Sequence, residues 1–585
     1  MTSLCVLVMP ICKRSIPWGL CALALGHTTR PQAPIDMLPV QTYIIEEGKG
    51  DDCMNLDNGL ISYSNVTMKN GMIVVPHDIP VLTDSSISVV DFEYSRFLVN
   101  DELNAEISKI KQFNSRNAVA KMINFIDTTK NGHIGVLYGL RRTGKTVALF
   151  QIAEHYIKNG KKVAYATFNY RNHDFNAVLQ AIHRLVSLGY ELVLLDEISR
   201  CDGFLNCAME LSDKVGAKVV IAGTESLMIR WAMRDALFGR TCVAETTTMW
   251  FDEYRRIFPD RNIANFVKDG GVLWESEPES VEDYLMTSVI QNIKNSADFL
   301  ESDQCVVDQR VFAGVDSETL YRLLVSICEL NTEAAVLRNL KNRWNESIAL
   351  KLSIAHSRAG GLKNDPSIVK IRDGLKEYYA WVPRDKFSEE LVATLIQRLL
   401  GLNFLFKYVE MSYNTIQENI TLTQPYIKRE FIRRILSVVA QDNIDSIPET
   451  IEKLNSIGNG YILEDIVYME ASRRYLDKQA LMPNIFRFRD EKEEIDLCIF
   501  RPDIKRLSLI EVKFSSEKIK TGIDSVIGQD KWLFDESIIG FLTNRYKPLE
   551  FKKIVMYRGQ TDINPDPDSV RWVNVEDWLL GEVEI

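Results

Sequence analysis

The sequence predicts an α/β chain. It has a parallel sheet with helices on both faces, a largely helical middle segment, and a second α/β segment towards the C-terminus. Three observations carry this. Between residues 132 and 260, short apolar strands alternate with amphipathic helices, and the loop "GLRRTGKT" joins the first strand to the first helix. Roughly fifty residues on, an apolar strand ends in two acids, "LVLLDE". Near the C-terminus, the apolar strands "EIDLCIF" and "LSLIEVKFSS" flank a turn and carry charges inside them.

A chain of 585 residues has room for three or four domains. The expected division is an N-terminal extension, partly disordered, over 1–80, a nucleotide-binding α/β domain over 81–265, a helical middle domain over 266–425 and an α/β domain over 426–585. With 46% hydrophobic and 25% charged residues, the composition is that of an ordinary globular protein. A net charge of −11 argues against non-specific coating of nucleic acid, although a local basic patch still binds phosphate. The ten cysteines include no CxxC pair, which fits neither a zinc site nor a small disulfide framework, so free thiols in a reducing compartment are expected. No apolar run reaches the ~18 residues of a membrane span. The first 30 residues, with Lys13 and Arg14 before a short apolar run, read either as a weak secretory leader or as a tail from an upstream start, with the protein beginning near Met37 or Met54. The second reading is favoured because the remaining chain needs ATP, which places it in the cytoplasm.

The first element is the strand around Ile134, Val136 and Leu137, followed by Gly139-Leu-Arg-Arg-Thr-Gly144-Lys145-Thr146, which fits G-x-x-x-x-G-K-[ST]. The helix after it carries Leu149, Ile152, Ala153, Tyr156 and Ile157 at helical spacing and stops at Gly160. In this context the loop and the helix start present unpaired N–H groups to phosphate oxygens. Gly139 and Gly144 allow close backbone approach, and Arg142 and Thr143 complete the cradle. Lys145 reaches the β/γ-phosphates and Thr146 offers its hydroxyl to Mg²⁺. Arg141 and Arg142 are expected to be exposed on the loop, without a catalytic role.

The strand Val193-Leu-Leu ends in Asp196 and Glu197. Asp196 is placed to hold Mg²⁺, usually through water, and Glu197 to orient or deprotonate the attacking water. Between the two motifs, "KKVAYATFNY" reads as a strand and Asn176 to Leu188 as an amphipathic helix; "AKVVIAGTES" is a further strand. Ligands sit at the C-terminal ends of such strands. Thr224 lies there, placed either to sense the γ-phosphate or to cap a helix. Arg240 is either a γ-phosphate contact, in cis or across a subunit, or a surface arginine.

In the C-terminal segment, Glu511 and Lys513 lie two apart on one strand and so share a face. A hairpin through "RPDIK" brings Asp496 towards them. Two carboxylates a few ångströms apart repel unless a cation sits between them, and Asp496 and Glu511 offer the oxygens that Mg²⁺ takes. Lys513 is placed to orient water or to stabilise charge at a phosphate. Upstream, the helix "GNGYILEDIVYMEASRRYL" carries Glu464 and Asp465, either of which completes the site. The alternative is a hairpin with an exposed charged face.

With both sites in hand, the chain resembles the prokaryotic AAA-family ATPases that carry a C-terminal restriction-endonuclease-like PD-(D/E)XK domain. The likeness rests on "GLRRTGKT", "LLDEI", "AGTES", Gly239-Arg240 with "FDEY" after it, and "EIDLCIF…LIEVKFS", over roughly 90–260 and 455–560. It implies that Lys145, Thr146, Asp196 and Glu197 carry ATP and Mg²⁺. It also implies that Asp496, Glu511 and Lys513 form the nuclease-type site, with Glu464 as the helix acid. Thr224 stands where many relatives use serine. The helical pair "SETLYRLLVSICEL" and "SEELVATLIQRLLGLNFLFKYVEM" is what such relatives fold into a winged-helix-like module.

From Arg338 to Lys386, basic residues outnumber acidic ones about two to one, with Trp344, Tyr378, Tyr379 and Trp381 among them. This stretch reads either as a nucleic-acid contact or as a solvated basic face. Two functions are expected from the whole. One is an ATP hydrolase coupled to a Mg²⁺-dependent nuclease acting on DNA, with self-association as an option. The other is an ATP-driven switch whose nuclease-like domain binds a partner or nucleic acid without cleavage.

Overall fold

The computed structural model describes residues 95–168, 173–202, 215–224, 240–271, 280–297, 310–329, 388–441, 447–490, 493–516, 535–562 and 570–585, with residues 211 and 533 and the strands at 4–9, 41–46, 67–69, 72–74 and 90–92. The basic stretch from Arg338 to Lys386 lies outside the described residues. The chain divides into two units, Met1–Ser88 and Val89–Ile585. The first holds two antiparallel strand pairs, Leu4–Met9 with Gln41–Glu46 and Thr67–Lys69 with Met72–Val74.

The second unit begins its main architecture with α1 (Asn117–Thr128), β1 (Ile134–Tyr138) and α2 (Lys145–Lys158). Then follow β2 (Val163–Thr167), α3 (Phe175–Ser187), β3 (Leu192–Asp196), β4 (Lys218–Gly223) and β5 (Thr241–Glu245). The five strands form one sheet in the order β5-β1-β4-β3-β2, and every neighbouring pair is parallel. Parallel sheets are covered on both faces, which explains why β1 and β3 are buried at every position. Leu137, Leu149, Ile152, Val163, Leu194 and Val220 form the core between the sheet and its helices.

Two short helices, α4 (Phe251–Ile257) and α5 (Ile263–Asp269), follow the sheet. A helical rod comes next: α6 (Val281–Tyr284), a π-turn over Leu285–Ile290, and α7 (Gln291–Ala297). With α8 (Ser317–Glu329) and α9 (Glu389–Gly401) it builds a second core that takes in Leu140 of the phosphate loop.

A seven-stranded mixed sheet closes the chain. Its first two strands, β6 (Leu405–Met411) and β7 (Ile416–Leu422), form an antiparallel hairpin directly after α9. The sheet thus takes two strands from before residue 425, where the sequence reading ends the middle domain. The helices α10 (Pro425–Gln441) and α11 (Ile447–Tyr475) precede β8 (Ile485–Asp490), β9 (Glu493–Arg501) and β10 (Arg506–Val512). After α12 (Glu536–Tyr546) come β11 (Glu550–Tyr557), β12 (Arg571–Asn574) and α13 (Val575–Leu579). The order is β7-β6-β8-β9-β10-β11-β12, with β8, β9 and β10 antiparallel and β10, β11 and β12 parallel.

One face of this sheet packs on α12 through Cys498, Leu509, Ile538 and Leu542. The other packs on α11 through Leu497, Ile499, Ile510, Ile462 and Ile466, and the same cluster contains Phe251, Tyr254, Ile263 and Phe266 of α4 and α5. The helices that finish the first domain therefore lie in the core of the last. Arg473 at the end of α11 pairs with Asp252 at 3.2 Å and stacks 4.7 Å from the Trp250 ring.

Candidate functional site

The phosphate loop leaves the C-terminal end of β1 and enters α2 through Gly144, whose φ of 84° lies in the left-handed region open to glycine. A Cβ on Gly139 would stand 2.3 Å from Thr246 Oγ1, so only glycine fits where the loop passes β5's exit. Lys145 is buried, its Nζ donating to the carbonyls of Gly139 at 3.0 Å and Leu140 at 2.9 Å. The Thr143 side chain turns inward, donating to Leu140 O at 2.8 Å and meeting Thr246 Oγ1 at 2.9 Å; its contribution to a phosphate is its backbone N–H. Arg142, half-buried, holds the loop's other left-handed φ, 61°.

Asp196 ends β3 beside this loop. It accepts from Thr146 Oγ1 at 2.6 Å and, from the neighbouring strand, from Tyr165 OH at 3.1 Å. Burial, then the Glu197 charge, pushes its carboxyl up from the usual range. A buried carboxylate touching the helix-start hydroxyl and short of positive charge is what a hard cation satisfies, so Thr146 and Asp196 fit Mg²⁺. Glu197 adopts a left-handed φ of 55°, a strained backbone for a non-glycine residue. That turn aims its carboxylate across to β4, where Oε2 accepts from Thr224 Oγ1 at 2.6 Å and Thr224 N at 3.1 Å. Thr224 is thus tied to Glu197, a contact that is neither a phosphate contact nor a helix cap.

Arg240 does not join this group. Its carbonyl accepts from Ile134 N at 3.0 Å, so it opens β5 at the N-terminal edge of the sheet. The loop leaves the opposite edge, about 16 Å away over five residues of strand. Contact with the γ-phosphate in cis is therefore ruled out, because β5 runs parallel to β1 and carries the chain towards the site only after Arg240.

Three neighbours of the site carry no motif. Arg116, at the start of α1, is buried and donates to Thr143 O at 2.6 Å, to Thr248 O at 2.8 Å and to Thr246 O. The same guanidinium pairs with buried Glu253 of α4 at 2.9 Å. Burial alone would raise the Glu253 carboxyl, but Arg116 outweighs it and holds the group below its usual range. From the rod, Ser288 Oγ accepts from Arg141 N at 3.0 Å, and Asn292 Nδ2 donates to Thr224 O. A lone arginine before a helix, or a serine and asparagine inside one, gives no signal in sequence.

The second constellation lies on β9 and β10. The β9–β10 ladder runs from Arg501↔Arg506 to Leu497↔Ile510, and at Asp496 and Leu497 the register of β9 against β8 shifts by one residue, a bulge that re-aims Asp496. Asp496 Oδ2 accepts from Val512 N at 2.7 Å, and Lys513 Nζ donates to Glu511 Oε1 at 2.6 Å. Burial raises the Cys498 thiol, and the charges of Asp496 and Glu511 raise it further, so the two acids flank one point of the sheet.

Glu464 on α11 is pushed up to about 8 by burial first and then by the Asp496 charge, with Arg487 and Arg489 acting against both. Asp465 is committed elsewhere. Its Oδ1 accepts from Arg487 at 2.8 Å, and its Oδ2 accepts from Thr421 at 2.6 Å and from Lys428. Of the two helix acids, Glu464 is the one near Asp496. Arg487, also missed in sequence, lies buried between Asp465 and the rings of Tyr408 and Tyr468. Among the described residues, no three His, Cys, Asp or Glu side chains converge closely enough to hold a metal by themselves.

Residues 131–255 match the family described as AAA domain. Over 437 residues, 72% of this chain and 82% of the relative, the sequence is 23% identical to the uncharacterized protein MJ1544 of Methanocaldococcus jannaschii. Among solved structures, PCH-2 of C. elegans is similar at 13% identity, covering 39% of this chain and 67% of that one, with a TM-score of 0.21. AMPPCP-bound DnaA from Aquifex aeolicus is similar at 14% identity, covering 50% and 90%, with a TM-score of 0.19. Scores of that size carry no argument about shared architecture. The family match, the parallel sheet and the loop geometry together support an AAA-type P-loop ATPase domain. Among the described residues, no helix is long and apolar enough to cross a membrane, and Cys242 and Cys498 are in no disulfide.

Proposed function

We propose that this protein is an ATP hydrolase whose AAA domain is coupled to a Mg²⁺-dependent nuclease site on the C-terminal sheet, acting on DNA in the cytoplasm. The observation that carries the nuclease reading is that Asp496 Oδ2 accepts from the N–H of Val512, the residue after Glu511, while Lys513 pairs with Glu511. Helix acid, strand Asp and strand Glu-x-Lys then fall in the order of the PD-(D/E)XK pattern, with Glu464 as the helix acid.

In the ATP site, the loop N–H groups of Arg142 to Thr146 bind the phosphates. Lys145 leaves the Gly139 and Leu140 carbonyls for the β/γ oxygens. Thr146 and Asp196 would hold Mg²⁺, which would neutralise charge at the phosphates. Glu197, held by Thr224 through Oε2, accepts the proton of the attacking water. Arg240, on the far edge, is proposed to serve a neighbouring subunit if the chain self-associates. In the second site, Asp496 and Glu511 would hold Mg²⁺, which lowers the pKa of bound water and polarises a phosphodiester. Lys513 orients the water and meets the charge that develops on the phosphate.

Purified protein given DNA with Mg²⁺ or Mn²⁺, with and without ATP, tests this. Cleavage is expected, lost about 100-fold or more in Asp496→Ala while ATP hydrolysis continues, and Lys145→Ala should abolish hydrolysis. ATP hydrolysis with no cleavage of any DNA or RNA would refute the nuclease reading. The second function, a switch whose C-terminal domain binds without cutting, is favoured by one observation: the described carboxylates form no complete metal cluster. It predicts that Asp496→Ala leaves function intact while Lys145→Ala removes it.

A further inference from the structure

The helical rod from Val281 to Ala297 touches both walls of the ATP site. Ser288 Oγ accepts from the Arg141 N–H of the phosphate loop at 3.0 Å, and Asn292 Nδ2 donates to the carbonyl of Thr224 at the end of β4. Both side chains are buried, at 3% and 4% exposure, so neither contact is a chance surface encounter. Ser288 lies within the π-turn Leu285–Ile290, and Asn292 follows two residues after its end. In a regular α-helix, residues four apart are offset by about 40° around the axis. A wider turn reduces that offset and sets Ser288 and Asn292 nearly in line. Such turns are uncommon and cluster at functional sites. The amide of Asn292 is oriented by its acceptor: Nδ2 must face Thr224 O, which leaves Oδ1 buried and without a hydrogen-bond partner. An unpaired buried acceptor is costly unless its other half is needed where it is.

We infer that Asn292 is a positioning residue for ATP hydrolysis: it pins the Thr224 backbone, so that the Thr224 hydroxyl and N–H in turn set the Glu197 carboxylate. The chain of contacts is short. Asn292 holds Thr224 O, and Thr224 Oγ1 and N donate to Glu197 Oε2 at 2.6 and 3.1 Å. Glu197 already sits in a strained left-handed conformation, so a looser partner lets it swing away from the water it must deprotonate. Asn292 meets neither the phosphate loop nor Asp196 in any described hydrogen bond, so its loss should leave ATP binding largely intact. The inference rests on reading the loop as an ATP-hydrolysing site.

Steady-state ATPase kinetics on the full chain, beside Asn292→Ala and the exposed-face control Thr287→Ala, test it. For Asn292→Ala, kcat is expected to fall about tenfold, the effect of one lost positioning hydrogen bond, with KM for ATP within about twofold. Thr287→Ala should match the wild type. An unchanged kcat, or a kcat loss that merely follows lost ATP affinity, overturns the inference. If Asn292→Ala does not fold, Asn292→Asp decides. Its carboxylate opposes the Thr224 carbonyl, but its protonated form donates to it, so the kcat deficit against wild type should shrink between pH 8 and pH 6. A deficit that is constant across that range overturns the inference. Absence of ATP turnover in the wild type overturns this inference together with the reading of the site, whereas wild-type turnover matched by Asn292→Ala overturns this inference alone.

Discussion

Replacing Arg116 by methionine removes one partner of a buried ion pair and the donor to three backbone carbonyls at once. Arg116 and Glu253 expose 5% and 3% of their side chains, so water cannot take over the missing contacts. Breaking such a pair from one side costs about 3–5 kcal/mol. The three carbonyls, of Thr143, Thr246 and Thr248, push the expected loss to the upper end of that range. The loss has a characteristic pH dependence. In the wild type, the Glu253 carboxyl is held below its usual range, so its contribution is present at neutral pH and disappears as pH falls through the depressed value. In Arg116→Met, burial, the largest influence on this group, loses its main counterweight and only the Asn117 and Trp250 N–H groups still favour the charged form, so the carboxyl is expected to rise above its unfolded value and the native state to bind a proton that the unfolded chain releases. The variant should therefore recover stability as pH falls from 8 towards 5. Urea unfolding at those two pH values measures this directly. The double variant Arg116→Met/Glu253→Met should be more stable than the single one at pH 8, because no orphaned carboxylate is left buried. A loss below about 1 kcal/mol at pH 8, or equal losses at both pH values, would refute the assignment of Arg116 as the buried anchor of the phosphate loop.

Two further outcomes follow from the sites. Glu197→Gln should reduce ATP hydrolysis by about 100-fold or more while ATP binding persists, checked by single-turnover hydrolysis beside a nucleotide titration. Glu464, raised to about 8, keeps a proton in the native state that the unfolded chain loses near its ordinary value, so this group's contribution is full at low pH and is lost as pH climbs towards 8. Glu464→Gln should accordingly flatten the decline of thermal stability between pH 5 and pH 8, and Mg²⁺ should narrow the difference between the two proteins; identical pH profiles would exclude this.

What was legible in sequence was local. The loop from Gly139 to Thr146, the acids ending β3 and the charged pair on β10 each lie within a few residues of one another, and spacing alone set their chemistry. The parallel sheet was legible for the same reason, since four of its five strands announce themselves by an apolar run and only Thr241–Glu245 does not. What escaped was long-range. Arg116 meets Glu253 across 137 positions, and Asn292 meets Thr224 across 68, contacts that only packing creates. The choice between Glu464 and Asp465 was undecidable from helical spacing because adjacent residues point to different neighbours. Lys428 and Arg487 engage Asp465, which leaves Glu464 as the acid proposed for the site. The edge that Arg240 occupies is not legible from its own neighbourhood, because strand direction decides it and the strand it opens, Thr241–Glu245, is no apolar run. The basic stretch from Arg338 to Lys386 lies outside the described residues and stays an expectation.

The helix α4 belongs to two neighbourhoods at once. Glu253 on it is fastened to Arg116 beside the phosphate loop, whereas Phe251, Tyr254 and Ile257 lie in the core under the C-terminal sheet. The chain therefore has no clean seam at residue 265, where its sequence suggests one. Grafting the ATPase part of one relative onto the tail of another must bring α4 and α5 with the tail and re-match Arg116 to the incoming glutamate, or the hybrid inherits a mismatched joint in the middle of a hydrophobic core. Heredity acts under the same constraint, so the two halves should have changed in step, with substitutions near Phe251 and Tyr254 answered by others on α11 and α13.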